Sequence, residues 1–174
     1  MKTVALIIGS VRDGSSTKKA ADLIQIQLEN KGFQVITVDP KELALKFPGQ
    51  EGYEAESEIV KNRVKGSDAV VLVTPEYDAT FSSVIKLLIE YMGYPSVLAN
   101  KPVHIFGVAA GRIGAVKAIE QLKAVCSSTG MLVLPNAISV PNIGEVFDGN
   151  KLRSKDDEPL FLQSAAEILA FFAN

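Results

Sequence analysis

Five short runs of β-branched and aliphatic residues recur along the chain, Val4 to Ile8, Phe33 to Val38, Ala69 to Val73, Val103 to Val108 and Met131 to Leu134, with helical periodicity between them. The first and third are apolar at every position rather than at alternate ones, which is the pattern of strands covered on both faces in a parallel sheet. Helices have to supply those covers. Thr17 to Lys31 sets Ala20, Ala21, Ile24 and Leu28 on one stripe, opens at hydroxyls able to cap it and stops at Gly32. Glu54 to Lys65, Ser82 to Met92 and Ala115 to Ser128 read as further helices, and a last one is expected at "DDEP", whose acids and Pro159 suit a helix N-terminus. The alternation predicts an α/β fold, a doubly wound five-stranded parallel sheet with helices on both faces. Pro40 to Tyr53 and Pro141 to Lys155 interrupt it and read as surface loops. With 174 residues, 47% of them apolar, and no long polar linker, residues 1–174 are expected to form one domain.

A net charge of -2 lacks the basic face that binds nucleic acid without regard to sequence, so the expected partner is a small molecule. The single cysteine, Cys126, excludes an internal disulfide framework and any metal site built on paired thiolates, and it fits a reducing cytoplasm. The N-terminal apolar run is too short for a secretory leader and lacks a cleavage pattern, so it reads as a buried strand. No stretch is long and apolar enough to predict a membrane span.

Ligands of such sheets bind beyond the carboxyl ends of the strands. The loop after the first run, "GSVRDGSST", has the glycine spacing of a Walker A loop, but Ser15 stands at the lysine position and the third strand runs into Thr74 and Pro75 instead of a magnesium-binding acid. A dinucleotide fingerprint fails as well, since Val11 and Arg12 stand where it needs glycine, and Asp39 reads as a strand-end residue before the turn at Pro40. A thiol phosphatase would need a cysteine in this loop. What the loop offers is Ser10, Ser15, Ser16 and Thr17 as hydroxyl donors, the first N–H groups of a helix carrying roughly +0.5 charge, and the Arg12 guanidinium. That set suits a terminal phosphate monoester.

The loop after the third run, "TPEYDATFS", places Pro75, Tyr77 and Phe81 beside backbone N–H groups around Glu76 to Ala79. It describes a pocket for a mononucleotide with a large planar head group. The loop after the fourth run carries Gly107, Gly111 and Gly114, which let backbone approach the same ring, and Arg112, which can meet an anionic second substrate. His104 falls inside a strand and Cys126 on a core stripe, so neither is expected to be catalytic. The helix from Ser82 to Met92 shows little polar face beyond Lys86 and Glu90, and is expected to pack against another subunit.

With these residues in hand, the chain resembles the NADPH-dependent FMN reductase family, flavodoxin-like enzymes that include quinone, azo and chromate reductases. "GSVRDGSST" is similar to the family's GSxRxxSxN loop, "PEYDATFSSVIKLLIEY" to PEYNxSxPxxLKNAIDW, and "AAGRIGAVKAIEQL" to its glycine-bearing loop and following helix. The resemblance implies FMN with its phosphate at Ser10, Arg12, Ser15, Ser16 and Thr17, its ring against Pro75, Glu76, Tyr77, Asp78, Ala110 and Gly111, and an acceptor near Tyr77, Phe81 and Arg112. It implies NADPH or NADH as co-substrate, a dimer or tetramer, and a flavin that carries the chemistry without a catalytic side chain. Among the positions that depart from the motifs, Thr17 replaces Asn and retains a donor, Asp78 replaces the Asn beside the ring, and Ser82 replaces a proline, a change expected to matter little. The alternatives are a flavodoxin-type electron carrier, usually more acidic than this chain, and a non-catalytic oligomeric domain that retains the pocket.

Overall fold

Strands apolar at every position need cover on two sides, and the fold supplies it. A computed structural model describes residues 1–173. In chain order the elements are β1 (Thr3–Ile8), α1 (Ser16–Asn30), β2 (Gln34–Val38), α2 (Tyr53–Val64), β3 (Ala69–Tyr77), β4 (Thr80–Phe81), α3 (Ser83–Tyr91), β5 (Pro102–Val108), α4 (Val116–Ser128), β6 (Leu132–Val133), β7 (Ile138–Val140), α5 (Ile143–Val146), β8 (Phe147–Asp148), β9 (Lys151–Leu152) and α6 (Glu158–Ala173). The sheet runs β2-β1-β3-β5-β6 with every neighbour parallel. Ala5, Ile7, Val70, Leu72, Val103 and Ile105 face a cluster built with α2, α3 and α4. Val4, Leu6, Ile8, Val71, Val73 and Phe106 face α1 and α6 on the other side. Among the described residues no helix is long and apolar enough to cross a membrane.

The helices from α1 to α4 lie within one residue of the expected ranges, and α6 begins at Glu158. The strands differ more. The fifth, expected over Met131 to Leu134, is two pieces. Leu134 N–H still donates to Val103 carbonyl at 2.9 Å, but Pro135 has no N–H to continue the ladder, and pairing beside β5 resumes with β7 at Ile138. The third strand runs four residues past Val73, to Tyr77, and doubles back antiparallel through β4. Neither interrupting segment is plain loop. Pro40–Glu42 is a 3-10 turn capped by Asp39, whose Oδ1 accepts from Lys41 N–H at 3.0 Å, and Pro141 to Lys155 holds α5 and the β8–β9 hairpin.

The apolar stripe on α3 also needs a different account. Ile85, Leu87, Leu88, Ile89, Tyr91 and Met92 are all buried against the chain's own core. The helix is apolar nearly all round because α2 and α4 flank it on the sheet, so its composition does not call for a second subunit.

Cys126 is fully buried on α4, and burial pushes its thiol up to about 12, so it carries no thiolate at neutral pH. His104 on β5 is likewise buried. Its Nε2 donates to the Asn136 carbonyl at 3.3 Å while Nδ1 has no partner among the described residues. Burial lowers the imidazole's pKa below 6.5, against smaller opposing effects of the Asn136 carbonyl and the Glu167 carboxylate. The folded chain therefore holds this ring neutral where the unfolded chain would protonate it. Stability from this group is complete above 6.5 and falls as the pH drops below it, by up to about 1.4 kcal/mol per pH unit. Urea unfolding between pH 7.5 and 5 is expected to show a loss of midpoint that His104→Gln reduces; an unchanged slope in the variant would contradict this.

Candidate cofactor site

β1 and β3 stay paired to the last residue of β1. Ile8 pairs with Val73, and one further rung joins Gly9 N–H to the Val73 carbonyl at 2.8 Å. Beyond it the chains part: β1 turns into α1 and leads on to β2, whereas β3 continues to Tyr77 and leads on to β5 on the opposite side. The crevice at such a reversal is where open α/β sheets bind ligands. Gly9 is required there, because a Cβ at this position would lie 2.5 Å from Ile85 Cγ1 and 2.8 Å from the Val73 carbonyl oxygen.

The loop that follows is rich in donors. Ser10 is buried and its Oγ accepts from Arg12 N–H at 3.3 Å. Ser15 caps α1, its Oγ accepting from Lys18 N–H at 3.4 Å. Both hydroxyl protons stay free. Among the described residues nothing accepts from the backbone N–H of Ser10, Ser16 or Thr17, and unpaired N–H groups at a helix start attract anions. Arg12 stands exposed at the lip. Beside it Asp13 is ion-paired with Lys41, whose hydrogen bond holds the Asp13 carboxyl below its ordinary range and offsets its charge next to the donors.

The second wall is the β3–β4 hairpin. Tyr77 pairs with Thr80 across a two-residue turn in which Asp78 and Ala79 have φ of 49° and 60°, the type I′ geometry that favours Asn-Gly. Asp78 is tolerated there; alanine at 79 costs about 1 kcal/mol. Gln121 on α4 offsets that cost, donating through Nε2 to the Ala79 carbonyl and accepting at Oε1 from the Thr80 hydroxyl, both at 2.8 Å. Tyr77 is 38% exposed, whereas Phe81 packs against the core beneath.

The third wall, residues 109–114, is fastened by a segment the sequence presents as loop. Ala109 N–H donates to Val140 carbonyl, Ile143 N–H to Ala109 carbonyl and Asn142 N–H to Gly111 carbonyl, at 3.0, 3.0 and 3.2 Å. The start of α4 is held from two sides: Ser139 Oγ accepts from Ala115 N–H at 2.8 Å, and Glu76 Oε2 from Ala118 N–H at 3.0 Å. Two of the loop's three glycines serve this packing rather than a ligand. A Cβ on Gly107 would sit 2.6 Å from that of Ala115, and one on Gly114 2.3 Å from Ser139 Oγ; only Gly111 faces open space.

Between these walls lies a cavity of about 420 Å³, within the range of small-molecule sites. Of the residues singled out by sequence, Arg12, Ser15, Ser16, Thr17, Pro75, Glu76, Tyr77 and Ala110 line it. Asp78, Gly111 and Arg112 line a second hollow, which shares Glu76, Ala109 and Ala110 with the first. Ser10 lines neither of these; it lies in an adjoining hollow that shares Arg12, Gly14 and Ser15 with the main cavity. Phe81 lines none of the three. Ile143 and Gly144 line the main cavity and carry no sequence signal, since neither belongs to a motif or bears a charge. Gln121 is equally silent, as one more polar residue on a helix surface.

A doubly wound sheet with a donor loop and a crevice at its switch point defines a flavodoxin-like fold. The model of the family "NADPH-dependent FMN reductase" matches residues 1–145, and the chain belongs to that family. It is 28% identical over 173 residues to an NADPH azoreductase of Bacillus sp. (strain OY1-2), covering 99% of this chain and 93% of that one. It is 27% identical over 135 residues to a 2-hydroxy-1,4-benzoquinone reductase of Burkholderia sp., covering 75% and 73%. Among solved structures, the flavoenzyme NAD(P)H:(acceptor) oxidoreductase FerB from Paracoccus denitrificans superposes with a TM-score of 0.83 at 22% identity, covering 99% and 98%. As a member of the family, the chain is an FMN-dependent oxidoreductase driven by NAD(P)H.

The turn at the tip of the second wall gives a direct test. Ala79→Gly is expected to stabilise the protein by about 1 kcal/mol, read as a higher urea midpoint with unchanged slope. Gln121→Ala should destabilise by a similar amount, since it leaves the turn carbonyl and the Thr80 hydroxyl without their partner.

Proposed function

We propose that the cavity at the ends of β1, β3 and β5 holds FMN, with its phosphate on the loop from Ser10 to Thr17 and its ring against Pro75 to Asp78 and Ala110 to Gly111. The observation that carries this reading is the set of N–H groups at Ser16 and Thr17, unpaired among the described residues, in a cavity that Arg12 lines with them and whose other walls include Pro75, Tyr77, Ala110 and Ile143. The residues fit the group: an anionic end meets donors, and a planar head meets apolar side chains and backbone. When bound, FMN supplies the redox chemistry, taking hydride from NADPH or NADH and passing electrons to an acceptor. The chain's own work is to bind the phosphate, hold the ring edge on backbone and shield one ring face from water. The second hollow, with Arg112, exposed Ile113 and the nearby Tyr77, receives a small acceptor; Phe81 contributes by supporting the hairpin from below. Quinones, azo and nitro compounds, metal oxyanions and free flavin are the candidate acceptors.

We further propose that the protein acts as one flavin-binding unit in a reducing cytoplasm, as its single buried thiol suggests, and that it assembles as a dimer or tetramer. The surface for assembly is not the apolar stripe of α3 but the flank at its C-terminal end, where Tyr94 is 93% and Phe47 58% exposed. Sedimentation of the purified protein at micromolar concentration is expected to give at least a dimer, and a monomer would overturn this part.

The function is tested by mixing purified protein with FMN and adding NADPH without oxygen. Rapid bleaching of bound flavin is expected. A yellow protein that NADPH leaves unbleached would make it an electron carrier, and failure to retain FMN would overturn the reading. Asp78→Asn is expected to raise the potential of the bound flavin or its affinity, because it removes a carboxylate from the ring-side turn; identical values in both proteins would remove Asp78 from the site.

A further inference from the structure

Ser82 stands where the family motif has proline, and the structure gives its hydroxyl a task that proline cannot perform. The side chain is buried at the N-cap of α3. Its Oγ accepts from Ile85 N–H at 3.2 Å, as a cap does, and its proton goes to the Gly9 carbonyl at 2.7 Å, across 73 residues of sequence. Ser82 N–H in turn donates to Thr74 Oγ1 at 3.3 Å, and the Thr74 hydroxyl donates to the Pro75 carbonyl at 3.0 Å. The Ser82 side chain thus joins the end of β1 to the start of α3, while its backbone N–H ties the same residue to Thr74 within β3.

The carbonyl it holds belongs to the peptide plane between Gly9 and Ser10. In a trans peptide the C=O and the following N–H point in opposite directions in one plane. Fixing the Gly9 carbonyl toward Ser82 therefore fixes the Ser10 N–H away from α3, and that N–H meets no acceptor among the described residues although Ser10 is 3% exposed. A donor left unpaired in so buried a residue costs stability unless a ligand takes it up. Nothing else restrains this plane as directly, since the Gly9 N–H bond to Val73 holds the preceding peptide.

We propose that Ser82 is a positioning residue for phosphate binding: its hydrogen bond to the Gly9 carbonyl presets the Ser10 N–H as a donor to the phosphate of the flavin. The inference rests on the reading of the first loop as the FMN phosphate site.

Ser82 has φ of -66° and ψ of 149°, which proline adopts without strain, and Phe81 before it is extended in β4. Ser82→Pro therefore removes the hydroxyl donor on a compatible backbone, together with the cap on Ile85 N–H and the N–H bond to Thr74, losses that bear on both ligands alike. Ser82→Thr keeps the hydroxyl. Affinities are measured by quenching of flavin fluorescence, for FMN and for riboflavin, which lacks the phosphate. The wild type should prefer FMN. Ser82→Pro should lose about five- to tenfold of that preference with little change in riboflavin affinity, and Ser82→Thr should restore it. A purely structural role would move both ligands together, and that outcome, or an undiminished preference in Ser82→Pro, overturns the proposal while leaving the phosphate site standing. If the wild type itself shows no preference for FMN over riboflavin, the reading of the loop fails, and the role of Ser82 fails with it.

Discussion

The last rung between β1 and β3, Gly9 N–H to the Val73 carbonyl, sets the geometry on which the site depends. It is the last tie between the two central strands, and beyond it their continuations part, β1 into a helix and β3 through Tyr77 into a hairpin. Both strands can sit at the centre only because every residue from Val4 to Ile8 and from Ala69 to Val73 is apolar and buried. A polar residue on either face there would be stranded under a helix. The burial that stabilises the sheet and the crevice that receives a ligand thus follow from the same ten positions, as paired in the β1–β3 register.

Three loops converge on the crevice, and each is held by groups distant in sequence. Ser82 fastens the first to the second, Glu76 and Gln121 fasten the second to α4, and Ser139 with the segment after it fastens the third. The hollows between them keep their shape because the loops are cross-tied, not because any loop is rigid alone. That arrangement suits an enzyme whose cofactor does the chemistry, since what the protein must supply is a fixed relation between two ligands.

What could be read from the sequence was local. The buried strands, the helices between them, the turn at Pro40 and the donor loop all announce themselves through periodicity or through residues within three or four positions of one another. The resemblance to the family added the ring-side motif. What stayed hidden depends on pairings between remote positions. Pro135 splits the fifth strand, but where pairing resumes is decided by β5 alongside it. The apolar surface of α3 looks like an interface until α2 and α4 are placed on either side. Ser82 looks like a neutral replacement because its acceptor lies 73 residues away, and Glu76 looks like a ring contact because the helix it caps begins 40 residues later.

The capping of α4 by Glu76 makes the two ends of the crevice electrically unequal. Two helices aim their N-termini toward it, each worth roughly half a positive charge. At α4 the chain's own Glu76 carboxylate already accepts from the Ala118 N–H, whereas at α1 nothing among the described residues accepts from the N–H groups of Ser16 and Thr17. A ligand with one anionic end and one neutral end therefore meets a polarised cleft. Entering the wrong way round would set its charge against a carboxylate and leave bare amides over an apolar ring. An anionic group entering this crevice is thereby offered one open helix N-terminus, at α1, and one that a carboxylate of the chain has already taken, at α4.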